Sequence, residues 1–342
     1  MIERVHYLGV LLHLHAIIFA LRSFLLFSSR IDLDLVVICC CIVYKILLPC
    51  RCCCIAVWRR REIMCRYDPK RLTFGEDIPV WRRVPYLLGN YRVDYTFTQA
   101  IGSLFYWHNE TLNIWTHLIG AFFSFAWHYY SLHTWLLGAD RMDILFFHCF
   151  MIGSHCQMLG SVSHHWFGCM DRSIYLLTAK LDYSAIAILI PSMTCALLYE
   201  LLQCQTYYLT LYISLDLLLS VIVLFLCFLP SFQRPAFQPY RALVFTLLGI
   251  FIAVPWFHGF TIYPELMYSW GIIYQLLCGA IMFMGVAIYV SRQPEKSNPG
   301  KHDFCHSHCI WHLFVIGGVW AFYATFYEVY FWRLNEGPCA NL

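Results

Sequence analysis

The chain has 342 residues, 60% of them hydrophobic and 13% charged, with a formal net charge of +3. An average soluble domain carries about 25% charged residues, so this composition describes an integral membrane protein. The small net charge, with no basic patch interleaved with aromatics outside the flanks of apolar stretches, excludes a nucleic-acid partner.

Residues 1–58 are mostly apolar and rich in cysteine, with seven of the chain's 18 cysteines between Cys39 and Cys54. The stretches 5–27 and 35–58 read as a hairpin of two extra helices, and the whole extension reads equally as translation from a mis-assigned gene start. Residues 1–22 resemble a signal peptide but lack a small-x-small cleavage site. The cysteines lack the paired spacing of a metal site, and those beside Trp58 to Arg61 suit palmitoylation. Elsewhere the cysteines read as scattered buried thiols, not a disulfide framework.

Residues 59–111 follow as a basic segment, with nine Lys or Arg between Arg59 and Arg92. A helical span needs about 20 apolar residues, and the chain then divides into seven such stretches, near 112–136, 143–167, 178–200, 206–229, 240–258, 267–290 and 308–331. Gly138, Pro230, Pro235, Pro239, Pro264 and the run from Pro294 to Gly300 punctuate the short connections. Residues 332–342 form a tail. The predicted fold class is an all-α membrane protein, a seven-transmembrane helix bundle.

Lys and Arg concentrate on the cytoplasmic side of membrane proteins. Counted alternately, one side of the seven spans carries 16 basic residues and the other only Arg141 and Arg333. This predicts a cytoplasmic N-terminus and an extracellular or lumenal C-terminus. That is opposite to the rhodopsin-like arrangement and argues against a G-protein-coupled receptor.

On this orientation His165 ends span two, Asp182 begins span three, and His308 and His312 begin span seven, all near the inner leaflet. A spacing of four puts His308 and His312 on one helix face, one turn apart. If spans two and seven pack together, His165 supplies a third imidazole. Three His ligands leave one tetrahedral position open, the pattern of a zinc site that holds water. A single histidine at a span end is ordinarily an interfacial anchor; the spacing and shared depth set these three apart. His117, His128 and His258 are placed at other depths and left out, and His164 and His306 are placed on neighbouring faces. A carboxylate within a span is costly and needs a partner, so Asp182 is expected to orient a ligating imidazole or to act as general base. Ser161 either joins it or bonds its own helix backbone. Asp216 and Glu328, also in apolar stretches, receive no role.

ETLNIWTHL at 110–118, SVSHHWFGC at 161–169, KLDYSA at 180–185, VPWFHG at 254–259 and RQPEKSNPGKHDFCHSHCIWH at 292–312 resemble the signature segments of the progestin and adipoQ receptor family. The resemblance covers residues 74–338. It implies a seven-helix receptor with a cytoplasmic N-terminus, zinc held by His165, His308 and His312, and Asp182 and Ser161 beside it. It implies membrane-lipid partners, ceramide or fatty acid among them, through a ceramidase-like hydrolysis in which a metal-activated water attacks a lipid amide and Asp182 takes the proton. An extracellular hormone or steroid-like ligand is implied as well. Within the family the pattern resembles a Golgi-resident subtype that holds a Raf-type kinase, here through residues 59–95, so a Golgi or plasma membrane location is expected. The chain departs from the pattern at Ala185, where Gly is usual, and at Met170, where His is common. Three functions follow as expectations: a zinc-containing signalling receptor, a zinc-dependent lipid-amide hydrolase, and a Golgi scaffold with structural zinc.

Overall fold

In a computed structural model, residues 72–335 are described here. The expectations for residues 1–58, for the basic run 59–71 and for the tail beyond 335 fall outside them. A short helix α1 (Phe97–Gly102) precedes the bundle, capped by Thr96, whose hydroxyl accepts from the Gln99 amide while the Gln99 side chain returns the bond. The long helices then follow: α2 (Thr111–Leu132), α3 (Arg141–Phe167), α4 (Arg172–Leu202), α5 (Thr206–Phe228), the pair α6 (Gln238–Ile250) and α7 (Ala253–Ile262), α8 (Trp270–Ser291) and α9 (Ser307–Asn335).

These elements coincide with the seven expected spans, with ends set by capping chemistry. The Asp140 carboxylate accepts from the Met142 amide at 2.8 Å and starts α3. Asp171 accepts from Ser173 and Ile174 at 2.7 and 3.0 Å, which starts α4 six residues before the apolar run suggests. Such side-chain oxygens satisfy amide groups that a helix start leaves without partners. Span five is interrupted after Ile250, where Pro255 has no N–H to offer the Phe251 carbonyl one turn back.

Five spans, with α6 and α7 counted as one, are apolar and long enough to cross a membrane. The other two, α2 and α3, have 22 and 27 residues, enough for a bilayer core of about 30 Å at about 1.5 Å per residue. Their lower hydropathy comes from polar residues they bury, including Asn113, His117 and Ser124 on α2 and His155, Gln157 and Ser161 on α3.

The most apolar stretch of α4 is 72% buried and that of α9 56%, against 22% for α5 and 17% for α8. So α4 and α9 are the inner helices, and α5 and α8 present Leu217, Leu218, Phe225, Leu276 and Phe283 outward. α9 packs against α2, α4 and α8, and α3 lies between α2 and α4. The core joins Phe147, Phe150 and Met158 of α3 to Leu197 and Leu198 of α4 and to Phe322 and Phe326 of α9. Where α3 meets α4 the approach is close. A Cβ at Gly160 would sit 3.1 Å from the Ala185 Cβ and 3.3 Å from the Leu181 carbonyl oxygen.

The cysteine reading needs correction. Cys204, just past α4, is disulfide-bonded, and Cys149, Cys156 and Cys305 are exposed. The expectation of buried thiols holds for Cys169, Cys195, Cys227, Cys278 and Cys309.

Candidate metal centre

Because α3 and α9 both reach one end of the bundle beside α2, the three histidines singled out by spacing and depth come together. One ring nitrogen from each of His165, His308 and His312 lies within 4.8 Å of the other two. The ring centroids are 4.9 Å apart for every pair, and the Nε2 atoms of His165 and His308 are 3.2 Å apart. Among the described residues this is the one group of three or more potential ligands so arranged.

The surroundings decide which nitrogen each ring offers. His165 Nδ1 is 2.8 Å from Glu110 Oε2, an oxygen that also receives the Asn113 side-chain amide at 2.5 Å. His312 Nδ1 is 3.0 Å from the Asn113 carbonyl oxygen. A carboxylate and a carbonyl can only accept, so both rings carry their proton on Nδ1 and turn a bare Nε2 lone pair into the site. A ring nitrogen held by a carboxylate or carbonyl is the usual support of a ligating histidine. The donor set therefore fits a divalent metal with nitrogen preference and an open fourth position.

Ser161 and Asp182 are both buried beside this trio. A side-chain hydrogen bond links Ser161 to Asp182. Asp182 is not one of the converging ligand atoms.

The sequence reading misplaced His117. It is the seventh residue of α2, and His312 is the sixth of α9, so both lie at one level. Their rings stack at 3.7 Å and 3°. Its nitrogens do not join the ligand group; its role is to press on the His312 ring. His164 bonds Thr178 at 3.1 Å and His306 bonds the Asn109 carbonyl at 3.2 Å, consistent with neighbouring faces. His258 pairs with Tyr212 at 3.0 Å, and His128 with His148 at 2.9 Å, both away from the trio. Asp216 is fully buried and accepts from the Cys195 thiol at 3.7 Å.

Glu110 was missed as a functional residue. Its signal was available: it is an acidic residue opening the first span at the depth of the histidines. Arg241, a second charged residue near this end, holds the loop before α6. It is buried, with its guanidinium 4.8 Å from the Tyr183 ring and donating to the carbonyls of Phe232 at 2.5 Å and Arg234 at 2.9 Å. Tyr289 bonds Arg241 and its ring is 5.2 Å from the His308 ring.

Outside the spans, the strand-like segment before α1 and the loop before α9 close the same end. Thr73 and Tyr91 pair as an antiparallel bridge. Burial pushes the Tyr91 phenol up, keeping it neutral, and its oxygen accepts from the Val84 amide at 3.0 Å. Asp303 accepts from the Leu88 amide at 3.1 Å, and burial raises its carboxyl despite that bond. Glu295 receives the Ser307 amide at 2.8 Å and its hydroxyl, so it caps α9 one residue before His308.

Comparison with known proteins agrees with this architecture. A model of the haemolysin-III-related family matches residues 105–323, a stretch that contains Glu110, Ser161, His165, Asp182, His308 and His312. The chain is 30% identical to Heptahelical transmembrane protein 1 of Arabidopsis thaliana over 267 residues, covering 74% of this chain and 79% of that relative. It is 31% identical to the ADIPOR-like receptor IZH2 of Saccharomyces cerevisiae over 264 residues, 72% of this chain and 80% of the relative. With the Adiponectin receptor protein of Drosophila melanogaster it shares 28% over 295 residues, 83% of this chain and 63% of the relative.

Proposed function

This chain belongs to the haemolysin-III-related family, in the company of heptahelical transmembrane proteins and adiponectin receptors, and from that premise we propose that it is a seven-helix signalling receptor holding one zinc ion between His165, His308 and His312. The observation that carries the metal is the pair of Nε2 lone pairs turned inward by Glu110 and by the Asn113 carbonyl. The receptor role rests on the names of its relatives, an adiponectin receptor and an ADIPOR-like receptor.

The orientation proposed is N-terminus in the cytoplasm and site near the inner leaflet. Two independent features support it. Basic residues concentrate at the end of the bundle that holds the histidines, and the disulfide-bonded Cys204 follows the opposite end of α4, as an oxidising exterior or lumen favours. By resemblance to the Golgi-resident third member of the progestin and adipoQ receptors, the membrane proposed is that of the Golgi.

The hydrolytic reading is favoured by one specific feature, the buried Asp182 held by Ser161 beside the trio. Zinc supplies Lewis-acid polarisation of a carbonyl and acidification of water. The chain's own residues do the rest. Asp182 accepts the proton of the attacking water and returns it to the leaving amine. Ser161 fixes the carboxylate, and Glu110 keeps the His165 proton on Nδ1. The proposed substrate is a lipid amide such as ceramide, entering from the bilayer. As for the kinase-scaffold reading, Arg83 donates to the carbonyls of Ile78 and Glu76 within its own segment, and Arg82 and Arg92 are buried. Docking of a Raf-type kinase would therefore rest on residues 59–71.

Asp182→Asn tests the chemistry. The variant should retain about one zinc per chain, as three histidine ligands predict, yet release no fatty acid from ceramide. A wild-type protein that carries zinc but releases none ends the hydrolytic reading and leaves the receptor reading standing.

A further inference from the structure

Arg92 is fully buried, although charge counting places it among solvated cytoplasmic cations. Its guanidinium donates to the His165 carbonyl at 2.5 Å, to the Trp166 carbonyl at 3.2 Å and to the Ser103 hydroxyl at 2.6 Å. Arg82 donates to the Gly168 carbonyl at 2.6 Å, and the Tyr95 amide donates to the Cys169 carbonyl at 3.1 Å. The four carbonyls belong to the last turn of α3 and the residues just past it, where carbonyls lack helical partners and the helix dipole favours cations. Among the described residues Arg92 makes no ion pair with a carboxylate. Two of its three acceptors, the carbonyls of His165 and Trp166, are in place only while the end of α3 is.

The same segment reaches His165 a second time through Glu110, at the ring. One ligand is thus gripped by its backbone carbonyl and by its imidazole, from two points on one stretch of chain. That stretch also touches the approach to the other two ligands. Asn109 holds His306 by its carbonyl, Leu88 and Asn90 bond Asp303, and the Tyr86 carbonyl receives the Gly300 amide at 3.0 Å.

We infer that residues 82–110 form a clamp coupling the metal centre to the cytoplasmic face, with Arg92 as the positioning residue that sets His165 through its backbone. Docking of the segment on α3 and occupancy of the site are then linked. By reciprocity, whatever frees the segment weakens metal binding, and loss of metal loosens the segment by the same factor. The inference rests on the metal reading above, and the contact between Arg92 and His165 is what extends it.

The test uses the full-length protein in detergent or nanodiscs, with zinc affinity measured by chelator competition and backbone exchange by deuterium mass spectrometry. Arg92→Gln should weaken zinc binding about 10- to 100-fold, the range found when groups supporting a ligand are removed. Arg92→Lys should recover part of the loss. Arg141→Gln, at an exposed position at the opposite end of α3, should leave affinity unchanged. In unsubstituted protein, chelating the zinc should speed exchange in residues 86–96 and 166–170; this arm decides the matter if Arg92→Gln does not fold. Wild-type affinity in Arg92→Gln, or identical exchange with and without zinc, overturns the coupling alone. A wild-type protein that binds no zinc removes the metal reading and the coupling with it.

Discussion

The two ends of the bundle join the same helices with opposite chemistry. At the end opposite the histidines, Arg333 of α9 pairs with Asp143 of α3 and Glu200 of α4, each at 2.7 Å and each nearly inaccessible. There a cation meets two carboxylates, and the cluster is closed by the chain itself. At the other end, α3 and α9 contribute three imidazoles whose ring nitrogens lie within 4.8 Å of one another, an arrangement that the proposed metal ion would close. Burying polar groups in a bilayer is costly at both ends. The difference teaches that one cluster is neutralised within the chain, while the other gathers neutral donors with no cation of the chain among them.

Three substitutions would break or sharpen this contrast. The largest effect is expected from changing His308 and His312 together to Ala, which should abolish bound zinc in metal analysis while the Arg333 cluster keeps the protein folded. Zinc content equal to wild type would remove these two residues as ligands. Next, Arg333→Met leaves two buried carboxylates without their cation, and breaking such a group costs about 3–5 kcal/mol. It should appear as a markedly lower unfolding temperature with zinc still bound. If zinc is lost with little change in stability, the two ends have been assigned the wrong roles. The smallest effect is expected from Glu110→Gln, which keeps an acceptor for His165 but removes its charge. Zinc affinity should fall about tenfold, the lower end of the range for supporting groups, and an unchanged dissociation constant would show that the carboxylate does not tune the site.

The spans and the histidine trio were legible because both are carried by spacing. Apolar run length fixes the helices, and the four-residue step between His308 and His312 fixes a shared face. The supporting residues were hidden because their role depends on reach. Charge counting treats Arg82 and Arg92 as markers of a side, but a long guanidinium stem can turn inward and meet helix carbonyls. Asp143 and Glu200 lie near span ends, where polar residues are ordinary, and nothing local announces that Arg333 will meet both. His117 was a miscounting of depth and could have been placed from the helix starts. The Cys204 disulfide could not be read from scattered thiols, since bridging depends on distance in the fold.

The glycine at position 160 turns helix spacing into a ruler. Ser161 follows it on α3, and Asp182 follows Leu181 on α4, whose carbonyl oxygen lies 3.3 Å from where a side chain at 160 would begin. One methyl group there would force the helices apart by some tenths of an ångström. Catalytic and binding groups tolerate about 0.5 Å before they fall out of register. The spacing of α3 and α4 beside Ser161 and Asp182 is therefore gauged by a missing side chain, at a distance that a larger residue at this position would widen.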